Sequence, residues 1–444
     1  MMPDKPAPEA VRSSYRWLAA LSLGVAVVVA VLFVLARRHP EPWPHPVRAA
    51  NAVGDSACLS CHREKASFES TAHRLTTRNP TRGAIIGSFR SGENVLLTTN
   101  PSLHFRMDAD STGFYQSAVV GRAPDTSSRT ERIAFVAGSG RKGQSFLYWI
   151  GDQMYQLPVS YWTSLGKWIN SPGPAYVDGE ANFERAVSPR CFECHATWIE
   201  PVADVSTANR YLHGSAILGI TCERCHAAGA EHVARERSLL RAVRRPAIVN
   251  PSRLPRERQM ETCGQCHAGL GVLKELPFTY VAGRRLDDYL YLPPLSSDVT
   301  VDVHGNQVAL LSRSACFRSS QMTCVTCHDV HRQQRDLAEL SGKCLTCHKE
   351  QSCGLFPTRG HALVGRCVDC HMPLQSSNLI VSALEGKQER VQVRTHWIRV
   401  YLDGQPRKNL HQTTSRSPRS LQALRTGIGH RSGALDGAIP AGDH

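Results

Sequence analysis

The sequence predicts a mainly α-helical and irregular fold with a small β insertion and one N-terminal transmembrane helix. Three observations predict it. Fourteen of the 16 cysteines fall into seven copies of one five-residue pattern, Cys-x-x-Cys-His, and from the second copy onward these follow one another at intervals of 20 to 61 residues. A run of 20 uncharged, mostly apolar residues stands near the N-terminus. Between the first and second copies lies a pattern-free stretch of about 130 residues in which apolar and polar side chains alternate, the period of a strand and not of a helix.

In chain order, residues 1–16 form the expected cytoplasmic N-terminus. Residues 17–36, WLAALSLGVAVVVAVLFVLA, at about 1.5 Å per helical residue just cross a hydrocarbon layer. The run is long for the core of a signal peptide. Arg12 and Arg16 precede it and Arg37 and Arg38 follow it, so charge alone does not orient it. Residues 37–54 read as a Pro-rich, extended spacer that stands the globular part off a bilayer. Residues 55–402 form the motif-bearing domain, with the β-like insertion at about 80–180. There ENVLLTTN, HFRMDADSTGFYQSAVV and RIAFVAG alternate, and Asp110 to Gly113 supply turn residues. Trp149, Trp162 and Trp168 cluster at its end. Short helical pieces such as GAEHVARERSLLRAVRR join the later motifs, and residues 403–444 lack periodicity and are expected to be a disordered tail.

The motif carries a specific chemistry. Two thiols three residues apart reach the two vinyl groups of one haem, and the adjacent imidazole binds its iron from the same side. The seven copies are Cys58, Cys61 and His62; Cys191, Cys194 and His195; Cys222, Cys225 and His226; Cys263, Cys266 and His267; Cys324, Cys327 and His328; Cys344, Cys347 and His348; and Cys367, Cys370 and His371. Zinc knuckles do not require a histidine after every second cysteine, and neither does a disulfide framework. The expectation is therefore seven covalently bound c-type haems and a haem-packed, multihaem cytochrome interior. Such haems are attached outside the cytoplasm. That orients the chain, with its globular domain in the periplasm of a bacterial-type cytoplasmic membrane.

A formal charge of +14 and a pI near 9.2 would suit a nucleic-acid partner. The expected cofactors offer another account, since the two propionates of each haem together nearly balance that excess. Of the 52 basic residues only nine are lysine, and arginine is the residue that pairs carboxylates bidentately. No nucleic-acid partner is expected.

The second axial ligand decides whether an iron conducts or can also bind substrate. His39, His45, His411, His430 and His444 lie in the spacer, the tail or its border. Eight candidates remain for seven sites: His73, His104, His213, His232, His304, His331, His361 and His396. His104 and His304, in β-like or loop sequence far from any motif, are the weakest of these, and the preferred set is the other six together with His104. Cys316 and Cys353, outside the motifs, are expected to form a disulfide.

The order CxxCH then STAH, CERCHAAGAEHV, CVTCHDVH, and a closing CVDCHMP followed by THWIR resembles the multihaem cytochromes of the cytochrome c-554 and hydroxylamine oxidoreductase superfamily over residues 55–400. The resemblance implies that His73, His232, His331, His361 and His396 are distal ligands to haems other than the nearest in sequence. No Cys-x-x-Cys-Lys, the signature of a lysine-ligated catalytic haem, occurs. Two functions stay open. One is electron transfer between a membrane component, such as a quinol-oxidising complex, and redox partner proteins. The other is an oxidoreductase acting on a small nitrogen or sulfur compound at one five-coordinate haem.

Overall fold

The computed structural model describes residues 23–27, 44–173, 178–202, 208–238, 247–292, 301–302 and 304–401. The tail at 403–444 and most of the expected membrane span therefore lie outside the described residues. Alternation in the first half produces long antiparallel strands. β1 (Thr77–Arg78) is followed by a four-stranded meander of β2 (Val95–Leu97), β3 (Leu103–Ala109), β4 (Phe114–Arg122) and β5 (Asp125–Arg132). The turn between β3 and β4 is closed by the Asp110 carboxylate, which accepts from the backbone N–H groups of Thr112 at 2.7 Å and Gly113 at 3.0 Å.

β6 (Phe135–Ala137), β7 (Gly143–Ile150), β8 (Gln153–Gln156), β9 (Val159–Trp162), β10 (Lys167–Asn170) and β11 (Arg185–Ala186) join β1 in a seven-stranded sheet, with β7 pairing β6, β8 and β9. The inward residues form one hydrocarbon core. Phe105, Met107, Val136, Phe146, Tyr148, Leu157 and Val159 are all fully buried in it. Trp168 caps the core and donates its indole N–H to the Ser88 carbonyl at 3.0 Å. Its ring leaves room only for a glycine at position 87, where a Cβ would come within 2.2 Å of it.

Past residue 186 the strands are short: β12 (Ala196–Trp198) with β13 (Ile217–Leu218), and β14 (Val272–Leu273) with β15 (Leu290–Tyr291). The longest described helix, Arg256–His267, has 12 residues and ends on the fourth motif. After the seventh motif comes a long hairpin, β16 (Leu374–Leu384) and β17 (Lys387–Arg394), which returns to the first half. There Gly173 N–H donates to the Val381 carbonyl at 3.2 Å and the Asn170 amide to the Ala383 carbonyl at 3.4 Å.

This corrects the expected fold class. The protein is not mainly α-helical with a small β insertion around a haem-packed interior, because five sheets carry most of its long elements and the first half packs its own aromatic core. The expectation underweighted the Phe, Tyr and Trp residues at alternating positions, which fill a sheet-lined interior unaided. The N-terminal transmembrane helix is not found either. Among the described residues no helix is long and apolar enough to cross a membrane, and of residues 17–36 only 23–27 are described, as one short helix. Residues 44–54, expected as a spacer, lie against the body. Val47 is buried, and Arg48 donates to the Phe278 carbonyl at 3.0 Å while its guanidinium covers the Trp198 ring at 4.2 Å.

Candidate haem-attachment sites

Each motif makes about one helical turn. His62, His328 and His348 donate their backbone N–H to the carbonyl of the first cysteine of their own motif, at 2.9, 3.0 and 3.0 Å. Residues i, i+3 and i+4 then share one face, so both thiols and the imidazole point the same way.

The residues between the cysteines knit the motifs together. Glu193, buried in the second motif, accepts from Arg190 at 3.1 Å and from the Phe278 N–H at 2.7 Å. Arg190 in turn donates to the carbonyl of Gln265 in the fourth motif at 2.9 Å. Arg224 in the third donates to the Glu193 carbonyl at 3.1 Å. Glu223, also buried, accepts from the N–H groups of Val53 at 3.1 Å, Gly54 at 3.0 Å and Gly229 at 2.8 Å, fastening the entry to the first motif onto the third. Asp55 completes that join by accepting from the Cys222 N–H at 2.9 Å while its other oxygen meets Arg74 at 2.6 Å. Phe192, inside the second motif, is buried with Leu147, Met154 and Tyr211 and so ties this motif to the seven-stranded sheet.

The thiols of different motifs meet. A hydrogen bond from Cys222 holds the Cys58 thiol below the ordinary range, and one from Cys266 brings Cys194 down to about 7. Cys324 is lowered by Cys263 in the same manner. Burial and the neighbouring Cys367 push Cys344 up to about 11. The first motif thus adjoins the third, the second the fourth, the fourth the fifth and the sixth the seventh.

The histidines face one another in pairs, each with one motif member. His267 and His73 have ring centres 6.1 Å apart, His226 and His331 6.2 Å, and His328 and His396 6.3 Å. Two imidazoles on opposite faces of one metal, with each nitrogen about 2 Å from it and each ring centre roughly 1 Å further, stand about 6 Å apart. Burial pushes all six below the ordinary imidazole range, His73 and His396 to about 4, so they are neutral at pH 7, as a ligand must be. Two further histidines have another close by: His62 opposes the protonation of His232, and His304 that of His195.

Nδ1 of His226 lies 2.8 Å from the Val249 carbonyl, that of His371 3.0 Å from the Arg399 carbonyl and that of His267 3.1 Å from the Gln307 side-chain oxygen. A proton held on Nδ1 leaves the Nε2 lone pair for a metal, the usual outer arrangement around a ligating histidine.

These residues fit covalent haem: a thiol pair and an imidazole on one face, a second imidazole at the right separation, and both rings neutral. Buried guanidinium nitrogens without a hydrogen-bond partner, on Arg78, Arg224 and Arg313, match the carboxylates that haem brings. Among the described residues, no three His, Cys, Asp or Glu side chains gather into a set that could hold a bare metal ion.

Other expected residues are placed elsewhere. His104 sits on the outward side of β3 in register with Leu97 and Val119. His213 stacks on Trp149 at 4.1 Å and bonds the Gly151 carbonyl at 2.8 Å. His361 stands 3.0 Å from Glu350 and edge-on to Phe356. His348 is exposed. His304, among the weakest candidates by sequence, lies near His195, and its Nδ1 is 3.0 Å from Asp302. The expected disulfide is not formed. Cys316 and Cys353 are free thiols, and Cys316 lies near Cys327 and Cys344. No protein-family model, curated protein or solved structure matches this chain.

Proposed function

We propose that the chain is a heptahaem c-type cytochrome, related to the cytochrome c-554 and hydroxylamine oxidoreductase superfamily, that passes electrons on the outer side of a bacterial-type cytoplasmic membrane. The observation that carries this is the set of three facing histidine pairs at 6.1, 6.2 and 6.3 Å, each built from one Cys-x-x-Cys-His histidine and one distant in sequence. Bound haem supplies one-electron chemistry at its iron. The cysteine pairs would fasten the group covalently, and the motif histidines together with His73, His331 and His396 would hold its iron.

Two imidazoles per iron would leave no position for substrate there, which favours conduction over catalysis. The adjoining motifs support a relay, from the third to the first and from the second through the fourth to the fifth, that connects a membrane donor, such as a quinol-oxidising complex, with redox partner proteins.

The test is a haem count with a ferric spin-state spectrum on the mature protein. Seven haems with low-spin signals are expected, and His331→Ala converts one of them to high spin. A count other than seven, or no new high-spin signal in the variant, rejects the assignment. A high-spin signal in the unaltered protein that shifts on adding hydroxylamine or nitrite replaces conduction with catalysis at a five-coordinate haem.

A further inference from the structure

Trp397 follows His396 in sequence and lies between two cations. The Arg313 guanidinium covers one part of its ring at 3.9 Å from the centre, and the Arg399 guanidinium covers it at 3.9 Å as well. The two segments are fastened by Ser314, which is fully buried. Its hydroxyl donates to the His396 carbonyl at 3.1 Å and accepts from the Ile398 N–H at 2.8 Å. Arg313 is therefore fixed beside the histidine that faces His328 across 6.3 Å.

Its Nη1 is buried and has no hydrogen-bond partner. A charged donor is seldom left so, because taking a guanidinium N–H from water without supplying an acceptor is unfavourable. Stacking on the indole satisfies the face of the cation but none of its N–H groups, which lie in its plane. An acceptor in the plane of the guanidinium, beside the His328 and His396 pair, would meet that need. A planar carboxylate suits that fork.

We propose that Arg313, braced on Trp397, binds a propionate of the haem held between His328 and His396 and raises the reduction potential of that haem above what its two imidazoles alone would set. This rests on the reading of the chain as a c-type cytochrome. A fixed positive charge beside the group disfavours the ferric state, which carries one more positive charge than the ferrous. Arg313 is a positioning and tuning residue and touches neither the iron nor a substrate.

The experiment is a spectroelectrochemical titration of the full-length, mature protein beside Arg313→Gln, Arg313→Met and Arg313→Lys, with haem content measured for each. In the Gln variant the reduction equilibrium of one couple is expected to fall about tenfold, which is about 59 mV for one electron. Lys is expected to recover most of that loss, because it restores the charge although not the fork. The couple that moves should be the one whose low-spin signal His396→Met alters. Seven unchanged midpoints in the Gln variant overturn the proposal, as does a shift confined to a couple that His396→Met leaves alone. If the Gln variant does not fold, the Met variant, of similar length, reads the same midpoint, and a fall or an unchanged value there decides the matter in the same way. Absence of haem from the unaltered protein would instead reject the cytochrome reading, so the two failures are distinct.

Discussion

The two halves of this chain make their interiors differently. Between residues 77 and 186 the inside is hydrocarbon and aromatic, a single cluster in which Phe105, Phe146 and Tyr148 are sealed between sheets. From 189 onward one cluster, with Phe192, Trp198, Ile199, Tyr211 and Phe278, packs back across the boundary onto Leu147 and Met154, the other apolar groups are as small as Ala227, Val249, Val281 and Ala282, and the buried residues include Arg190, Glu193, Glu223, Arg224 and Gln265. Two of the three imidazole pairs stand there, and the third joins His267 to His73, each at a separation suited to a metal between them. The first half fills most of its interior with its own side chains; on the proposed reading the second frames something flat, apolar and anionic. On that reading one polypeptide fills one region with its own side chains and leaves the other to a cofactor, and composition averaged over the whole length hides the division.

Blocking haem attachment should widen that contrast most. Without haem, residues 189–401 are expected to become protease-sensitive while the strands between 77 and 170 keep their protection, as read by limited proteolysis with mass mapping of the fragments. Loss of protection in both halves together would erase the distinction. Phe105→Ala attacks the other side of it. Emptying a fully buried phenylalanine site should cost about 3–5 kcal/mol in denaturant unfolding while haem content stays at its unaltered value. A variant that loses haem in proportion to stability would show the two interiors to be one cooperative unit. Glu223→Gln is the smallest of the three. It weakens a buried carboxylate that accepts three backbone N–H groups, should cost about 1–3 kcal/mol, and should disturb the low-spin signal of the first motif before any other.

What was legible in sequence was local. A thiol pair and its histidine lie within one helical turn, so their shared face follows from spacing alone. Alternation from Leu103 to Arg122 marks β3 and β4, and the same alternation puts His104 on the side of Arg106 and away from Phe105. That parity was a usable signal against His104 as a ligand. The extent of the sheets was less legible, because β1, β11 and β13 are only two residues long and owe their existence to partners far along the chain. Val391 and Val393 alternate with polar neighbours in β17, a strand period within a region expected to be helical or irregular. Pairing between histidines was illegible. His304 lies more than a hundred residues from His195, and only folding brings the one near the other. Cys316 and Cys353 show the reverse error, in which closeness in sequence and a shared compartment suggested a bond that the packing does not make.

The hairpin of β16 and β17 has a consequence in time. It follows the seventh motif, yet its Ala383 carbonyl binds Asn170, 213 positions earlier, and Lys142 reaches the Gln392 carbonyl across 250. The first half cannot be finished when its own last strand leaves the ribosome, because the residues that close its edge have not been made. Six of the seven motifs emerge in that interval, while the chain between 170 and 383 is still an open loop whose ends have yet to meet. The hairpin that packs onto the first half arrives last, after every motif cysteine has passed out ahead of it.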